Sequence, residues 1–141
     1  HSLGVGPAGT DGHGDGVAQY VAPGHVLLLV PTSPSHGDYA SGQENLARVD
    51  GVPDAAGRPI RVTHLDPGDD ADAMYCNFYL ANGGVVVPVS GLPGDEAVLA
   101  QIGALYPGRE VVAVPGETIA FGGGGPHCIT QQLPVGEPAA P

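Results

Sequence analysis

The sequence predicts an α/β fold in which one unit, made of two strands, a helix and a third strand, occurs twice. Short apolar runs bounded by turn residues predict the strands, and two longer segments with apolar positions three and four apart predict the helices. The two halves also match each other, because residues 20–34 shifted by 59 positions fall on residues 79–93 with six identities in fifteen positions. The chain has 141 residues, 42% of them apolar, which is enough for one domain with a core.

The first unit contains four predicted elements: strands over Val17–Ala22 and His25–Val30, a helix over residues 38–49, and a strand over Ile60–Leu65. Pro23-Gly24 is the turn between the first two strands, and the second strand is continuously apolar, as is typical of a strand buried on both faces. Gly42 lowers the helix propensity by about 1 kcal/mol relative to alanine. The helix is expected to turn three side chains inward: Tyr39, Leu46 and Val49.

The second unit follows the same order: strands over Asn77–Ala81 and Gly84–Val89, a helix from Asp95 to the stop signal Pro107-Gly108, and a strand over Val111–Val114. Asn82-Gly83 is a strong hairpin signal. Asp95 is expected to cap its helix, which carries three apolar residues on one face: Val98, Ile102 and Leu105. Outside the units, residues 1–16 are predicted as loop, Thr118–Phe121 leads into a glycine run, and residues 135–141 are expected to be a disordered, proline-rich tail.

The charge balance argues against two classes of partner. The net charge is −11, with four arginines and no lysine, so we expect no binding of nucleic acid or of an anionic membrane. The acidic charge either favours a cationic ligand or serves only to keep the chain soluble. Two cysteines are too few for a disulfide scaffold, and no apolar run approaches the roughly 20 residues of a membrane span. With no recognisable signal peptide, we expect a cytoplasmic chain that is a piece of a longer one.

Cys128 is the strongest candidate for a nucleophile. It follows four glycines, Gly122–Gly125, which allow unusual backbone angles and close approach to a ligand. A catalytic cysteine needs a base that is close in space and distant in sequence, and His13 is expected to supply it. Asp15 lies two residues after His13, so in an extended segment both side chains point to the same side. The alternative for Cys128 is a buried and inert thiol, a description that suits Cys76 better.

Three other assignments have less support. His127 adjoins Cys128, but adjacent residues of an extended chain point in opposite directions, so we do not expect it to be the base. His13, Asp15 and Cys128 are residue types that bind metals, yet their spacing matches no structural zinc pattern, and we expect no metal. The glycine run lacks the Gly-Lys-Ser/Thr ending and the helix signal of a phosphate-binding loop.

Four segments resemble one enzyme family. Residues 122–132, GGGGPHCITQQ, resemble the C-terminal catalytic signature of agmatine deiminases and of the related bacterial peptidylarginine deiminases. Residues 10–15, TDGHGD, resemble the family's Thr-Asp-Gly-His-x-Asp motif, and residues 77–88 and 105–112 resemble its hairpin and a later segment. The likeness extends over residues 10–134. The sequence departs from the family pattern beside the candidate residues at three positions: Gly14, Gly16, where asparagine is usual, and Pro126.

The resemblance implies a partial α/β propeller of the pentein type. The family's fold has five blades of the strand-strand-helix-strand kind, so residues 1–134 would be the C-terminal part of a deiminase catalytic domain, with about two of the blades. The family's N-terminal part carries a second guanidinium-binding aspartate in a Trp-x-Arg-Asp motif, which this sequence lacks. Open blade edges are expected to favour association into homo-oligomers.

The resemblance also implies an activity, the hydrolysis of agmatine to N-carbamoylputrescine and ammonia without a cofactor. Asp15 would bind the guanidinium, and Cys128 would attack its central carbon to form a covalent thiouronium. His13 would protonate the departing ammonia and then activate water. Two alternatives stay open: arginine or peptidyl-arginine as the substrate, or an inactive truncated chain that lacks the N-terminal aspartate.

Overall fold

The computed structural model describes residues 13–133 and Gly136. Two parts of the predictions lie outside the described residues: residues 1–12 of the predicted loop over residues 1–16, which include the motif residues 10–12, and the predicted tail apart from Gly136. Both predicted units are present, and each forms a three-stranded sheet. No helix within residues 13–133 is long and apolar enough to cross a membrane.

The two units have the same topology. The first comprises β1 (Ala18–Ala22), β2 (His25–Leu29), α1 (Tyr39–Val49) and β3 (Arg61–Leu65). The second comprises β4 (Tyr79–Leu80), β5 (Gly84–Val89), α2 (Asp95–Leu105) and β6 (Glu110–Pro115), and is followed by a short helix, α3 (Glu117–Phe121). In each sheet the first strand pairs antiparallel with the second, and the second pairs parallel with the third. The predicted repeat is therefore confirmed.

One apolar core joins the two sheets. Leu27 and Leu65 of the first unit pack with buried residues of the second: Phe78, Val85, Val87 and Ile102. The rings of Phe78 and Tyr106 meet edge to face with a centroid distance of 5.5 Å, and the Tyr106 hydroxyl donates a hydrogen bond to the Tyr20 carbonyl oxygen at 2.9 Å. Burial is deepest along β2 and β5, the middle strands of their sheets, as their unbroken apolar runs predict.

The buried face of α1 differs from the prediction. Its two buried residues are Gly42 and Asn45. A Cβ atom at Gly42 would lie 2.8 Å from Cδ of Pro31, so only glycine lets the helix come this close to the end of β2. Because the helix approaches the sheet along this glycine, the three residues predicted to face inward are only half-buried: Tyr39, Leu46 and Val49.

Asp95 does not cap α2, contrary to the prediction. Gly94 occupies the cap position, without a side-chain hydrogen bond. The buried Asp95 carboxylate instead accepts hydrogen bonds from the Tyr75 hydroxyl at 2.6 Å and from the backbone amides of Ser90 and Leu92. Burial alone would raise the pKa of Asp95, but these hydrogen bonds hold it below its usual value. The carboxylate thereby ties Tyr75 to the connection between β5 and α2.

The chain between Tyr75 and β4 is a turn, where the sequence predicts the start of a strand. The backbone amide of Asn77 donates a hydrogen bond to the Met74 carbonyl oxygen at 2.8 Å, and β4 begins only at Tyr79. Cys76 is completely buried beside this turn, as expected for an inert thiol, and burial raises its pKa to about 12. This turn brings Asn77 next to the glycine run, which follows the second unit in the sequence.

Candidate active site

Asn77 anchors the turn that carries Cys128. The side chain of Asn77 is fully buried. Its Oδ1 accepts a hydrogen bond from the Cys128 backbone amide at 3.3 Å, and its Nδ2 donates to Cys128 Sγ at 3.2 Å. Its backbone carbonyl accepts a hydrogen bond from the His127 amide at 3.0 Å. An asparagine suits this position because its amide both donates and accepts, so one residue holds the main chain and the sulfur of Cys128.

The glycine run is required by the close approach of this turn to its neighbours. A Cβ atom at Gly125 would lie 2.7 Å from Oδ1 of Asn77, and a Cβ atom at Gly124 would lie 3.0 Å from Cβ of Cys128. Gly123 has a φ of +86°, a conformation that favours glycine. The sequence predicts close approach at these glycines, and the structure shows that the approached groups include Asn77 and Cys128 themselves.

Asp15 meets Cys128 across almost the whole length of the chain. The Cys128 thiol donates to Oδ2 of Asp15 at 3.2 Å, and the same oxygen lies 2.9 Å from Nδ1 of His127. Burial alone would raise the pKa of Asp15, but hydrogen bonds from Cys128, His127 and Asn77, together with the charge on His127, hold it below its usual value. Asp15 is therefore an ionised carboxylate near neutral pH, beside a thiol that is open to solvent.

The structure joins two of the three predicted site residues. Asp15 and Cys128 are in direct contact, whereas the exposed His13 forms no side-chain hydrogen bond within the described part of the chain. The segment after His13 is a 3-10 turn over Gly14–Gly16 instead of an extended chain, so the predicted alignment of His13 with Asp15 does not apply. The role of His13 as the base stays a prediction.

The expected orientation of His127 is wrong. Residues 126–129 form a turn, so His127 and Cys128 do not point in opposite directions, and both side chains reach Oδ2 of Asp15. Sequence reasoning also missed Asn77, although it lies in the segment that resembles the family hairpin. The signal for both residues was their place inside family motifs, but their contacts depend on how the ends of the chain meet.

Gly16, where the resemblance leads one to expect asparagine, has a structural explanation. A Cβ atom at Gly16 would lie 2.4 Å from the terminal methyl carbon of Met74. The Met74 side chain therefore occupies the space that a side chain at position 16 would need.

A cavity of about 580 Å³ adjoins Gly16 and Met74. Its lining contains three carboxylates, Asp38, Asp69 and Asp72, and it contains neither Asp15 nor Cys128. Cys128 is exposed to solvent and lies outside this cavity. Within residues 13–133, no group of three or more His, Cys, Asp or Glu side chains is arranged to hold a metal ion.

Comparison with known proteins identifies relatives over nearly the whole chain. The family model of Porphyromonas-type peptidyl-arginine deiminases matches residues 2–134. A protein of Latilactobacillus sakei assigned as agmatine deiminase is 37% identical over 90% of this chain and 42% of its own length. A protein of Streptomyces coelicolor with the same assignment is 40% identical over 89% of this chain and 40% of its own length.

Solved structures give the same result. The agmatine deiminase of Enterococcus faecalis superimposes with a TM-score of 0.80 at 30% identity, over 89% of this chain and 41% of that one. A structure from Porphyromonas gingivalis assigned as an arginine deiminase gives a TM-score of 0.79 at 29% identity, over 89% of this chain and 39% of that one. The chain spans about two fifths of the length of the curated relatives that it matches.

Proposed function

Because the chain belongs to the Porphyromonas-type peptidyl-arginine deiminase family, we propose that it supplies the nucleophile and a substrate-binding carboxylate of an amidine hydrolase that acts on agmatine. The observation that carries this proposal is the contact between Cys128 Sγ and Asp15 Oδ2 at 3.2 Å. An exposed thiol next to an ionised carboxylate suits a planar cation whose central carbon must be attacked. The relatives named as agmatine deiminases support agmatine as that cation.

The first half of the reaction forms a covalent intermediate. Asp15 accepts hydrogen bonds from guanidinium N–H groups, which places the central carbon over the sulfur. The Cys128 thiolate adds to that carbon, with Asn77 Nδ2–H donating to the sulfur. The carbon–nitrogen bond then breaks, the leaving nitrogen takes a proton from His13, and ammonia departs. The product on the protein is a thiouronium ester of Cys128.

The second half hydrolyses this intermediate. His13 takes a proton from water, and the resulting hydroxide adds to the thiouronium carbon. The hydroxyl group of this adduct then loses its proton to solvent as the carbon–sulfur bond breaks, which returns the electron pair to the sulfur of Cys128 and releases N-carbamoylputrescine. Neither half requires a metal or an organic cofactor, because no electrons leave the reacting groups and Asp15 stabilises the positive charge of the substrate.

We also propose that residues 1–134 belong to the C-terminal part of a deiminase catalytic domain, and that the two repeated units are about two of the five blades of a pentein-type propeller. The support is the repeated unit, in which both sheets share the same strand order and directions. The described residues form no closed ring of sheets. β1 and β6 are edge strands of their sheets and carry exposed apolar side chains at Tyr20 and Val112, which support association of copies along these strands. Sedimentation as a single sharp monomer would contradict this association.

A reducing compartment is part of the proposal. Cys76 and Cys128 are both free thiols, and Cys128 is exposed to solvent. A nucleophilic cysteine must stay reduced to act, so we place the chain in the cytoplasm.

The decisive experiment measures ammonia and ureido product from agmatine. We expect release that disappears in the Cys128→Ser variant, and that exceeds release from arginine or from a peptide with an internal arginine. Preference for either of the arginine substrates would support the second candidate, which the Porphyromonas gingivalis relative favours. No release from any of the three would contradict a complete activity in this chain, and would fit the absence of a Trp-x-Arg-Asp motif from its sequence.

A further inference from the structure

We propose that His127 is the residue that positions the Asp15 carboxylate toward the guanidinium. This proposal rests on the proposed function, and it gives His127 a role other than proton transfer. The His127 ring lies 2.9 Å from Asp15 Oδ2 through Nδ1, and its backbone amide donates to the Asn77 carbonyl oxygen at 3.0 Å. Main chain and ring are therefore both fixed relative to Asp15.

Asp15 needs such a restraint because of its neighbours in sequence. It lies between Gly14 and Gly16, and glycine allows the backbone more freedom than any other residue. The 3-10 turn that contains it is only three residues long. A carboxylate on this turn is held in one orientation only by groups that reach it from another segment. Within the described residues, the ring of His127 makes the shortest contact of this kind.

The hydrogen bond between His127 and Asp15 defines the role of Nδ1 in the histidine ring. An ionised carboxylate only accepts, so Nδ1 of His127 carries the hydrogen and donates to Oδ2. The Cys128 thiol donates to the same oxygen. When Cys128 becomes a thiolate, its bond to Oδ2 is lost, and one lone pair of that oxygen becomes available to a guanidinium N–H. The His127 bond remains and keeps the carboxylate turned toward the sulfur.

A pair of matched alkylating reagents tests this role on the chain as it exists. Chloroacetamidine carries an amidinium, which resembles a guanidinium, and chloroacetamide is its neutral counterpart. Both react when Cys128 Sγ displaces chloride, and mass spectrometry of the Cys128 peptide gives the two rate constants. Cys76 does not interfere because it is fully buried. The ratio of the two rates, the amidinium preference, measures how well Asp15 faces a cation at the sulfur.

Four variants distinguish the role of His127 from that of Asp15. Asp15→Asn should abolish the amidinium preference if Asp15 binds the cation. His127→Ala should lower the preference by about tenfold, the typical effect of one hydrogen bond to a charged group that is partly exposed. His127→Asn should keep it within about threefold of the original, since its side-chain N–H takes nearly the place of Nδ1–H. His64→Ala, at an exposed histidine of β3, should change nothing.

The outcomes separate this proposal from the proposed function. A preference that is lost in Asp15→Asn but unchanged in His127→Ala would overturn the positioning role and leave the proposed function intact. A His127→Asn variant as poor as His127→Ala would also overturn it, because the role would then require an imidazole. No preference in the original chain would overturn both. Circular dichroism checks that each variant is folded. If His127→Ala is unfolded, His127→Leu is used in its place.

Discussion

The replacement of Asn77 by aspartate removes the hydrogen bonds that its amide nitrogen donates and preserves the shape of the side chain. Aspartate keeps an oxygen in the place of Oδ1, which accepts the Cys128 backbone amide at 3.3 Å. It loses the Nδ2–H that donates to Cys128 Sγ at 3.2 Å, and places a second carboxylate near Asp15. The variant therefore tests how the donated hydrogen bond and the absence of a charge at residue 77 together support the reactivity of Cys128.

The expected effect follows from the charge on the acceptor. A hydrogen bond to a charged group contributes about 1.5–3 kcal/mol, and the exposure of Cys128 favours the lower end of this range. Since about 1.4 kcal/mol corresponds to a tenfold change in rate, alkylation of Cys128 by a neutral haloacetamide should slow by about tenfold at pH 7. The repulsion between two neighbouring carboxylates acts in the same direction.

The assay compares Asn77→Asp with a matched control. Asn82→Asp introduces the same chemical change at an exposed residue of the β4–β5 hairpin. We expect the Asn82→Asp variant to react at the rate of the original chain. Equal rates in both variants, with circular dichroism spectra that show both to be folded, would refute the role of Asn77 in supporting the reactivity of Cys128.

Three further changes have defined outcomes. The folded chain holds the pKa of Asp15 below its unfolded value, so the ionised carboxylate stabilises the fold above the unfolded pKa. This contribution is lost as the pH falls through the folded pKa. The free energies of unfolding of Asp15→Asn and of the original chain, measured in urea, should therefore converge in acid. Gly125→Ala places Cβ 2.7 Å from Asn77 Oδ1, so denaturation should show about 1–3 kcal/mol of destabilisation. Gly16→Asn should lower the melting temperature, and added Met74→Ala should restore part of it.

Each change has a contrary result, and Gly125→Ala also has a control. A constant stability gap between Asp15→Asn and the original from about pH 7 to about pH 3 would contradict the lowered pKa. Gly83→Ala, where a Cβ would have no neighbour within 4 Å, should be tolerated, and equal losses at Gly125 and Gly83 would contradict the crowding argument. A Gly16→Asn variant as stable as the original would show that Met74 moves aside freely.

The repeat and most of its elements follow from the sequence. Apolar runs predict β2 and β5, and the spacing of Val98 and Ile102 predicts α2. These elements are predictable because strands and helices each bury apolar side chains at a characteristic spacing along the sequence. The buried face of α1 does not follow, since it depends on how closely Gly42 lets the helix approach Pro31. Such distances are properties of the packed chain and leave no periodic signal.

The candidate site is predictable in its residues and less so in its contacts. Cys128 and Asp15 follow from motif and chemistry, and the structure brings them together. The contacts of Asn77 and His127 do not follow, because they depend on a turn at residues 126–129 and on a meeting of segments 51 residues apart. Local rules for an extended chain led to the wrong orientation for His127.

Because the two sheets share one core, the candidate site forms only when the two units are packed together. Asp15 precedes β1 of the first unit, whereas Asn77 and Cys128 belong to the second, and Tyr106 bonds to Tyr20 across the boundary between them. Neither unit alone can place a carboxylate beside the thiol. We therefore expect the preference of Cys128 for a cationic reagent to depend on docking of the units, so two half-chains cut between β3 and β4 should recover it only when they are mixed.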